Sequence, residues 1–318
     1  MSFNWKLQLF LIFIGLSILS VGFLFVKPAV STSTPPEIIY DSNGIPSVYY
    51  GEQIGYQGNP VTTSLRLMYY QDNFHWSKNA TILQYIKSSS NWLIINAKQY
   101  GSYSLYEYSF PFRYNVVPPW HSALAQGLAI QALLKSYQIT QNETYLNQTI
   151  PLLNSFYVDV KYGGITLKTD NQGWWYEEYA SSKGENPRVL NGMMYDLVAL
   201  YEYYNYTGNS KAKFLFDQGV VSLKNNISTY DANGSSYYDS QRSLLATPYY
   251  QKVHVDLLGK LYAMTGESVF KQYRDKWEIY LESYENKSTS IPEFGILSGM
   301  IVIISLIGSV VISKKYRL

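Results

Sequence analysis

The residues best suited to chemistry lie in one short segment, 174–179, near the middle of the chain. Its sequence, Trp-Trp-Tyr-Glu-Glu-Tyr, places four aromatic rings and two adjacent carboxylates, Glu177 and Glu178, within six residues. Gly163-Gly164 precede the segment and Pro187 follows it, which disfavours a helix interior. Rings with a polar edge can stack on sugars and hydrogen-bond to their hydroxyls. We therefore expect a sugar-facing loop.

Two kinds of sugar chemistry fit these residue types. On an extended segment Glu177 and Glu178 point to opposite sides, so a glycosidase would need Asp239 as its second carboxyl group. The alternative is proton removal next to a uronate carboxylate, which needs a base and a cation that stabilises the developing charge. A tyrosine becomes such a base only when a cation lowers its pKa. Arg242, close to Tyr238 in sequence, is the predicted cation.

The composition excludes several other functions. The chain has 318 residues and is 47% hydrophobic, which is enough for a substantial core. A net charge of only +2, with no Lys/Arg block in the central region, argues against a nucleic-acid partner. Zero Cys and 3 His leave little for a Cys nucleophile, a Ser-His-Asp triad or a His-rich metal site. No metal and no cofactor are predicted.

Both ends of the chain carry apolar runs. Residues 7–26 form an uncharged run that is long enough for a signal anchor, with a cleaved signal peptide as the alternative. Residues 296–312 form a second run, and the basic residues 314–317 follow it. These runs predict a membrane partner and an extracytoplasmic location, at the cell membrane or cell surface, for the chain between them. Seven Asn-x-Ser/Thr acceptors agree with that location: Asn79, Asn142, Asn147, Asn205, Asn226, Asn233 and Asn286.

A short motif precedes the second apolar run. Pro292-Glu293-Phe294-Gly295, followed by an apolar span and a basic tail, resembles the PEFG-type C-terminal sorting signal of archaea. That resemblance implies an archaeosortase-type processing protease as a partner. A plain C-terminal anchor is the alternative.

Between the ends, apolar residues recur at helical spacing in pairs of segments. The pairs begin near residues 61, 121, 187 and 252, and in the two middle pairs the first helix is apolar nearly all round whereas the second is one-sided. Such hairpins stack into a solenoid or close into an α/α toroid. The predicted fold is mainly α, an incomplete toroid of helical hairpins with a short N-terminal extended or β arm, flanked by two hydrophobic membrane segments. The predicted regions are 1–30 (signal), 31–60 (linker and arm), 61–286 (toroid) and 287–318 (sorting signal).

This arrangement has a consequence for function. If every first helix runs one way and every second helix runs back, the connectors 99–120, 159–187 and 229–251 all emerge at one end. Connectors of this length in a compact domain are usually functional. We therefore expect their aromatic residues, carboxylates and arginine to meet on one face.

Five motifs in this region occur together, in order: Pro119-Trp120-His121-Ser122-Ala123-Leu124-Ala125-Gln126-Gly127, Trp175-Tyr176-Glu177-Glu178-Tyr179, Val189-Leu190-Asn191-Gly192, Tyr238-Asp239 with Arg242, and Tyr250 with His254. Together they resemble the helical C-terminal domain of heparan sulfate D-glucuronyl C5-epimerases, from about residue 59 to 280. The resemblance implies an α/α toroid and catalytic roles for Glu178, Tyr179, Tyr238, Arg242 and Tyr250. In the family the arginine follows the Tyr-Asp pair after one residue, whereas Ser240 and Gln241 intervene here.

Other residues of these motifs are predicted to bind substrate: Trp120, Gln126, Trp175, Tyr176, Glu177, Asn191 and His254. Each has a structural alternative, such as core packing for the tryptophans, capping for Asn191 and a buried structural role for His254. The expected function is C5 epimerisation of D-glucuronate or a similar uronate within a polysaccharide or glycan. A polysaccharide lyase and an inactive glycan-binding surface protein are the alternatives.

Overall fold

A computed structural model describes residues 37–289, with side chains described as far as Ser283. The chain begins with an antiparallel sheet of three strands, β1 (Ile38–Tyr40), β2 (Pro46–Tyr49) and β3 (Tyr56–Gly58), in the order β1-β2-β3. Val48 lies opposite Ile38 on one side and Gln57 on the other. This sheet occupies the region in which the sequence predicted a short arm.

Eight helices follow as four hairpins: α1 (Pro60–Ser77), α2 (Ala80–Asn96), α3 (Ala123–Thr140), α4 (Glu143–Ser155), α5 (Leu190–Thr207), α6 (Ser210–Asn226), α7 (Pro248–Thr265) and α8 (Ser268–Thr289). The odd-numbered helices pack side by side in the order α1, α3, α5, α7, and each even-numbered helix packs against the helix before it. The predicted layers of inner and outer helices are therefore confirmed.

Burial explains which helix takes which layer. In α3 twelve residues are buried, among them the run Ala123–Ile130, because neighbouring helices surround it. In the outer helix α4 only one side is buried, through Tyr145, Thr149, Leu152, Leu153 and Ser155. An apolar helix surrounded on all sides and a one-sided helix facing water are the two patterns that the sequence displayed.

Short turns and long connectors alternate along the chain. Each inner helix ends in a left-handed residue, as at Gly208 after α5, and an Asn side chain caps the following outer helix α6 at Asn209. The outer helices instead lead into long connectors that contain the hairpins β4 (Lys98–Tyr100) with β5 (Tyr103–Leu105), β6 (Thr166–Thr169) with β7 (Gly173–Tyr176), and β8 (Asp231–Ala232) with β9 (Ser235–Ser236).

The connectors pair with one another. His121 forms an antiparallel bridge with Ala180, and Val189 forms one with Asp239. Three connectors that are distant in sequence therefore meet at the N-terminal ends of the inner helices. The predicted gathering of connectors at one end is confirmed.

The predicted fold class was wrong in including flanking membrane segments. Within residues 37–289, no helix is long and apolar enough to cross a membrane. Even α3, the most buried helix, carries Gln126, Gln131 and Lys135, so its apolar surface matches neighbouring helices rather than lipid. The runs 7–26 and 296–312 and the motif at 292–295 lie outside the described residues. The fold is accordingly mainly α, in layers of helical hairpins.

Candidate active site

Three tyrosines from two connectors and one helix meet at the N-terminal ends of the inner helices. Tyr179 follows β7, Tyr238 follows β9, and Tyr250 lies in the first turn of α7. The ring centroids of Tyr238 and Tyr250 are 4.6 Å apart, and all three tyrosines belong to one buried aromatic cluster. The structure thus brings together the tyrosines that the sequence singled out.

Glu178 lies against the same tyrosines because a glycine leaves room for it. A Cβ atom at Gly192, in the first turn of α5, would stand 2.5 Å from Glu178 Oε2. The carboxyl group is 7% exposed, and this burial raises its pKa to about 7, although Tyr179 and the charge of Arg113 act in the opposite direction. A carboxyl group with this pKa exists in both protonation states near neutral pH, as a general base requires.

Glu177 points away from this cluster, as expected for adjacent residues of an extended segment. It is fully buried, and its two oxygens accept hydrogen bonds from the backbone N of Arg188 at 3.1 and 3.2 Å. Burial raises its pKa to about 8. Glu177, which the sequence predicted to bind substrate, therefore holds the connector that leads into α5.

Arg113 is the cation that interacts electrostatically with these tyrosines, and it is not among the residues predicted from the sequence. It lies in a short turn of the first connector, followed by two residues of left-handed backbone, Tyr114 (φ 60°) and Asn115 (φ 52°). Burial raises the pKa values of Glu178, Tyr179 and Tyr250, and the charge of Arg113 partly offsets that rise. The signal in the sequence is that this is the single Arg among the aromatic residues of that connector.

Arg242 is placed on the outer side of this cluster. Its guanidinium forms an ion pair with Glu185 (2.7 Å) and stacks on the ring of Tyr114 at 4.9 Å, and 42% of the Arg242 side chain is exposed. The hydroxyl of Tyr114 donates a hydrogen bond to Asp239 Oδ2 (3.0 Å). Tyr114 thus stands between Arg242 and Tyr179, whose ring centroid is 5.3 Å from that of Tyr114.

The three predicted aromatic ligands occupy different places. Trp120 lies 5.7 Å from Tyr179, ring to ring, and stacks on Tyr108 at 4.0 Å, which places it in the wall of the site. Trp175 is buried in the main core against Tyr230. Tyr176 is fully buried there too, and its hydroxyl donates to the Leu215 carbonyl (2.6 Å).

The three predicted polar ligands are all buried. Gln126 is fully buried, and Asn191 is 1% exposed. Both side-chain polar atoms of Gln126 and Oδ1 of Asn191 lack a hydrogen-bond partner among the described residues. His254 Nδ1 lies 2.7 Å from Ser236 Oγ, and burial lowers the histidine's pKa to about 3, so the ring is neutral. No observation assigns substrate contact to these three residues.

Burial keeps the three tyrosines in their neutral, protonated form. Burial raises the pKa of Tyr179, Tyr238 and Tyr250 well above the usual value, and the opposing effect of Arg113 on Tyr179 and Tyr250 is smaller. The sequence had suggested a tyrosine made basic by a cation. Because the rings are desolvated, the ionised form is the costly one, and Glu178 is left as the group that is readily deprotonated.

The cavity at the site is small. It is lined by Tyr50, Phe112, Trp120, Glu178 and Tyr179 among others and measures about 40 Å³, which is room for about one water molecule. A larger cavity of about 550 Å³ lies farther along the inner helices and contains none of the three tyrosines.

Comparison with known proteins identifies the family of this chain. A family model described as D-glucuronyl C5-epimerase C-terminus matches residues 96–279. An uncharacterised protein of Methanocaldococcus jannaschii is 30% identical over 266 residues, covering 76% of this chain and 85% of that protein. A D-glucuronyl C5-epimerase of Caenorhabditis elegans is 31% identical over 210 residues, covering 60% of this chain and 34% of the enzyme. The match thus spans about a third of the C. elegans enzyme.

A solved structure shares the fold. Cellobiose 2-epimerase from Spirochaeta thermophila superposes with a TM-score of 0.53 at 11% identity, covering 74% of this chain and 62% of that one. At this identity the likeness concerns the arrangement of helices alone. The family match covers more than half of the chain and includes every connector of the site. The chain therefore belongs to the D-glucuronyl C5-epimerase family, a family of carbohydrate epimerases.

Proposed function

We propose that this protein inverts C5 of a hexuronate residue, converting D-glucuronate or a similar uronate into its C5 epimer within a polysaccharide or glycan. The observation that carries the proposal is the juxtaposition of Glu178, Tyr179 and Tyr250 with the charge of Arg113 in one desolvated site. Epimerisation through a carbanion needs these parts: a base, an acid and a cation for the developing charge.

The protonation states suggest a division of roles. Ionised Glu178 removes the C5 proton, and the electron pair of the broken C–H bond moves into the adjacent carboxylate. Arg113 stabilises the resulting enediolate-like charge. A neutral phenol, from Tyr179, Tyr238 or Tyr250, then donates its proton to C5 from the opposite face. The carbon is inverted, Glu178 is protonated and one phenol is ionised, so protons and charge balance.

The aromatic rings packed around the tyrosines would protect the reaction from water. Rings of the first connector and the N-terminal sheet cover the tyrosines, with Tyr50 and Phe110 centroids 4.6 Å apart and Phe112 stacked on Trp120 at 5.9 Å. Excluding water strengthens each electrostatic interaction inside the site. The family resemblance supports a uronate substrate, and an extracytoplasmic location stays a prediction.

The deciding experiment is deuterium incorporation at C5, followed by NMR, with the full-length chain and heparosan in D2O. We expect incorporation together with the appearance of the epimer, and loss of the epimer in whichever of Tyr179→Phe, Tyr238→Phe and Tyr250→Phe removes the proton donor. Tyr206→Phe is the matched control, because Tyr206 is 49% exposed and outside the aromatic cluster.

The products distinguish the proposed epimerase from a lyase and from a binding protein. Unsaturated sugar ends would identify a lyase, in which the same carbanion expels the C4 substituent. Binding of heparosan without deuterium incorporation would refute the epimerase and leave a binding protein.

A further inference from the structure

Another cavity, of about 360 Å³, lies beside the candidate active site on the same end of the molecule. It is bounded by the β4–β5 hairpin on one side and by the turn at Tyr162-Gly163 on the other. We propose that this cavity binds another pyranose residue of the same glycan chain. The inference rests on the proposed function and adds a sugar subsite to it.

Three tyrosine rings line this cavity, together with Leu105, Val117, Pro118 and Pro119. Tyr100 and Tyr103 are directly paired across the hairpin, and their rings stack 5.6 Å apart at 15°. Tyr162 stands at the edge with 75% of its surface exposed. Sugar rings present flat C–H faces that pack on aromatic surfaces, while their hydroxyls need polar partners. The exposed Tyr162 can supply both kinds of contact.

His121 supplies a buried polar group that is free to hydrogen-bond a sugar hydroxyl through Nε2. It is 7% exposed and lines the cavity, and its Nε2 has no hydrogen-bond partner among the described residues. The nearest carboxylate oxygen, Glu107 Oε1, is 3.8 Å away, too far for a hydrogen bond.

Glu107 is engaged elsewhere, since it accepts hydrogen bonds from the hydroxyl of Tyr100 and from Lys98 Nζ (2.9 Å). Burial lowers the pKa of His121, so the imidazole is neutral at pH 7. A neutral imidazole can donate to or accept from a hydroxyl group.

The backbone links this cavity to the tyrosine site. His121 and Ala180 exchange two backbone hydrogen bonds (3.0 and 2.9 Å). The residues just before them, Trp120 and Tyr179, face the tyrosine site, whereas His121 and Ser181 line this cavity. One pair of extended segments thus contributes side chains to both sites, so the two cavities are neighbours.

The test compares substrates of different length. The probes are oligosaccharides of alternating glucuronate and N-acetylglucosamine, as a disaccharide and as a hexasaccharide, with the full-length chain. We expect Tyr162→Ala to raise KM for the hexasaccharide by about fivefold, the loss expected for one aromatic contact. KM for the disaccharide and kcat for both should not change. The control is Tyr206→Ala, an exposed tyrosine remote from this cavity.

A readout that needs no turnover keeps the subsite distinct from the epimerase proposal. The Kd of the hexasaccharide, measured by titration, should rise to a similar extent in Tyr162→Ala and in His121→Asn. This result would support the subsite even where no C5 exchange occurs. Equal Kd and KM values for the wild type and both variants would overturn it, and so would equal affinity of the wild type for the two probe lengths.

Discussion

Replacing Glu178 with glutamine should make the protein more stable at alkaline pH and, at the same time, inactive. The carboxyl group is buried against Gly192, and burial raises its pKa from 4.5 to about 7. The folded state therefore holds a proton at pH values at which the unfolded chain has already released it. Because the folded state binds more protons, its stability falls as the pH rises from about 4.5 to 7.

The magnitude follows from the size of the shift. Each unit of pKa difference is worth about 1.4 kcal/mol, so a shift from 4.5 to about 7 costs the folded state on the order of 3 kcal/mol above pH 7. Glutamine is uncharged at every pH and avoids this cost. The difference in free energy of unfolding between Glu178→Gln and the wild type should therefore grow by about 3 kcal/mol between pH 4 and pH 8.

Glu178→Gln should lower the activity even though it raises the stability. If ionised Glu178 is the base, kcat/KM of the wild type rises with pH through about 7. Glu178→Gln should lose about 10²- to 10⁴-fold in kcat, the usual contribution of a general base. The matched control is Glu177→Gln, an equally buried neighbour that hydrogen-bonds the backbone of Arg188 rather than facing the tyrosines. It should keep both the activity and the rise near pH 7.

Urea unfolding at pH 4 and pH 8 measures the stability, and C5 deuterium exchange over the same range measures the activity. The reasoning is refuted if Glu178→Gln gains no stability at pH 8, because burial would then not be raising the pKa. It is equally refuted if Glu178→Gln still exchanges deuterium at the wild-type rate.

Two further predictions concern the cation of the site and the contact between inner helices. Arg113→Gln should lower kcat about 10²- to 10³-fold, as for loss of a charge-stabilising donor, whereas Arg242→Gln should have a small effect; steady-state kinetics decides. Gly127→Ala should destabilise the fold by about 1–3 kcal/mol in urea unfolding, because its Cβ would lie 2.3 Å from Asp196 Oδ1. Gly259→Ala, where the nearest side-chain atom is 3.4 Å away, should instead stabilise α7 by up to ~1 kcal/mol. Equal effects of the two substitutions within either pair would contradict these assignments.

The layers of helices could be predicted from the sequence because periodicity reports burial directly. An inner helix such as α3 is apolar on all sides and an outer helix such as α4 on one, and both patterns are local. The position of Tyr179, Tyr238 and Tyr250 on one face followed from the direction of the helices. These conclusions needed no knowledge of side-chain contacts.

The cation could not be predicted in the same way. Arg113 lies in a connector without periodicity, and its place depends on the left-handed turn at Tyr114 and Asn115 and on the rings around it. Arg242 was chosen because it is near Tyr238 in sequence, yet the ring of Tyr114 separates it from Tyr179. Sequence distance says little about contact within a connector that folds back on itself.

The Asn-x-Ser/Thr acceptors show how one pattern can serve two purposes. The side chains of Asn79 and Asn142 accept hydrogen bonds from Thr81 N and Thr144 N, and so cap α2 and α4. Asn is a favoured cap because its carbonyl oxygen satisfies a free N–H of the first turn. These two motifs are therefore explained by helix capping whether or not the chain is glycosylated.

Burial also decides which way a proton would pass between Glu178 and the phenol after a turnover at the proposed site. One inversion leaves Glu178 protonated and a phenol ionised. Desolvation opposes the ionised phenol much more than it opposes ionised Glu178, since the phenol's pKa is raised well above 10 whereas that of Glu178 is about 7. A proton should then pass from Glu178 to the phenol and restore the starting state.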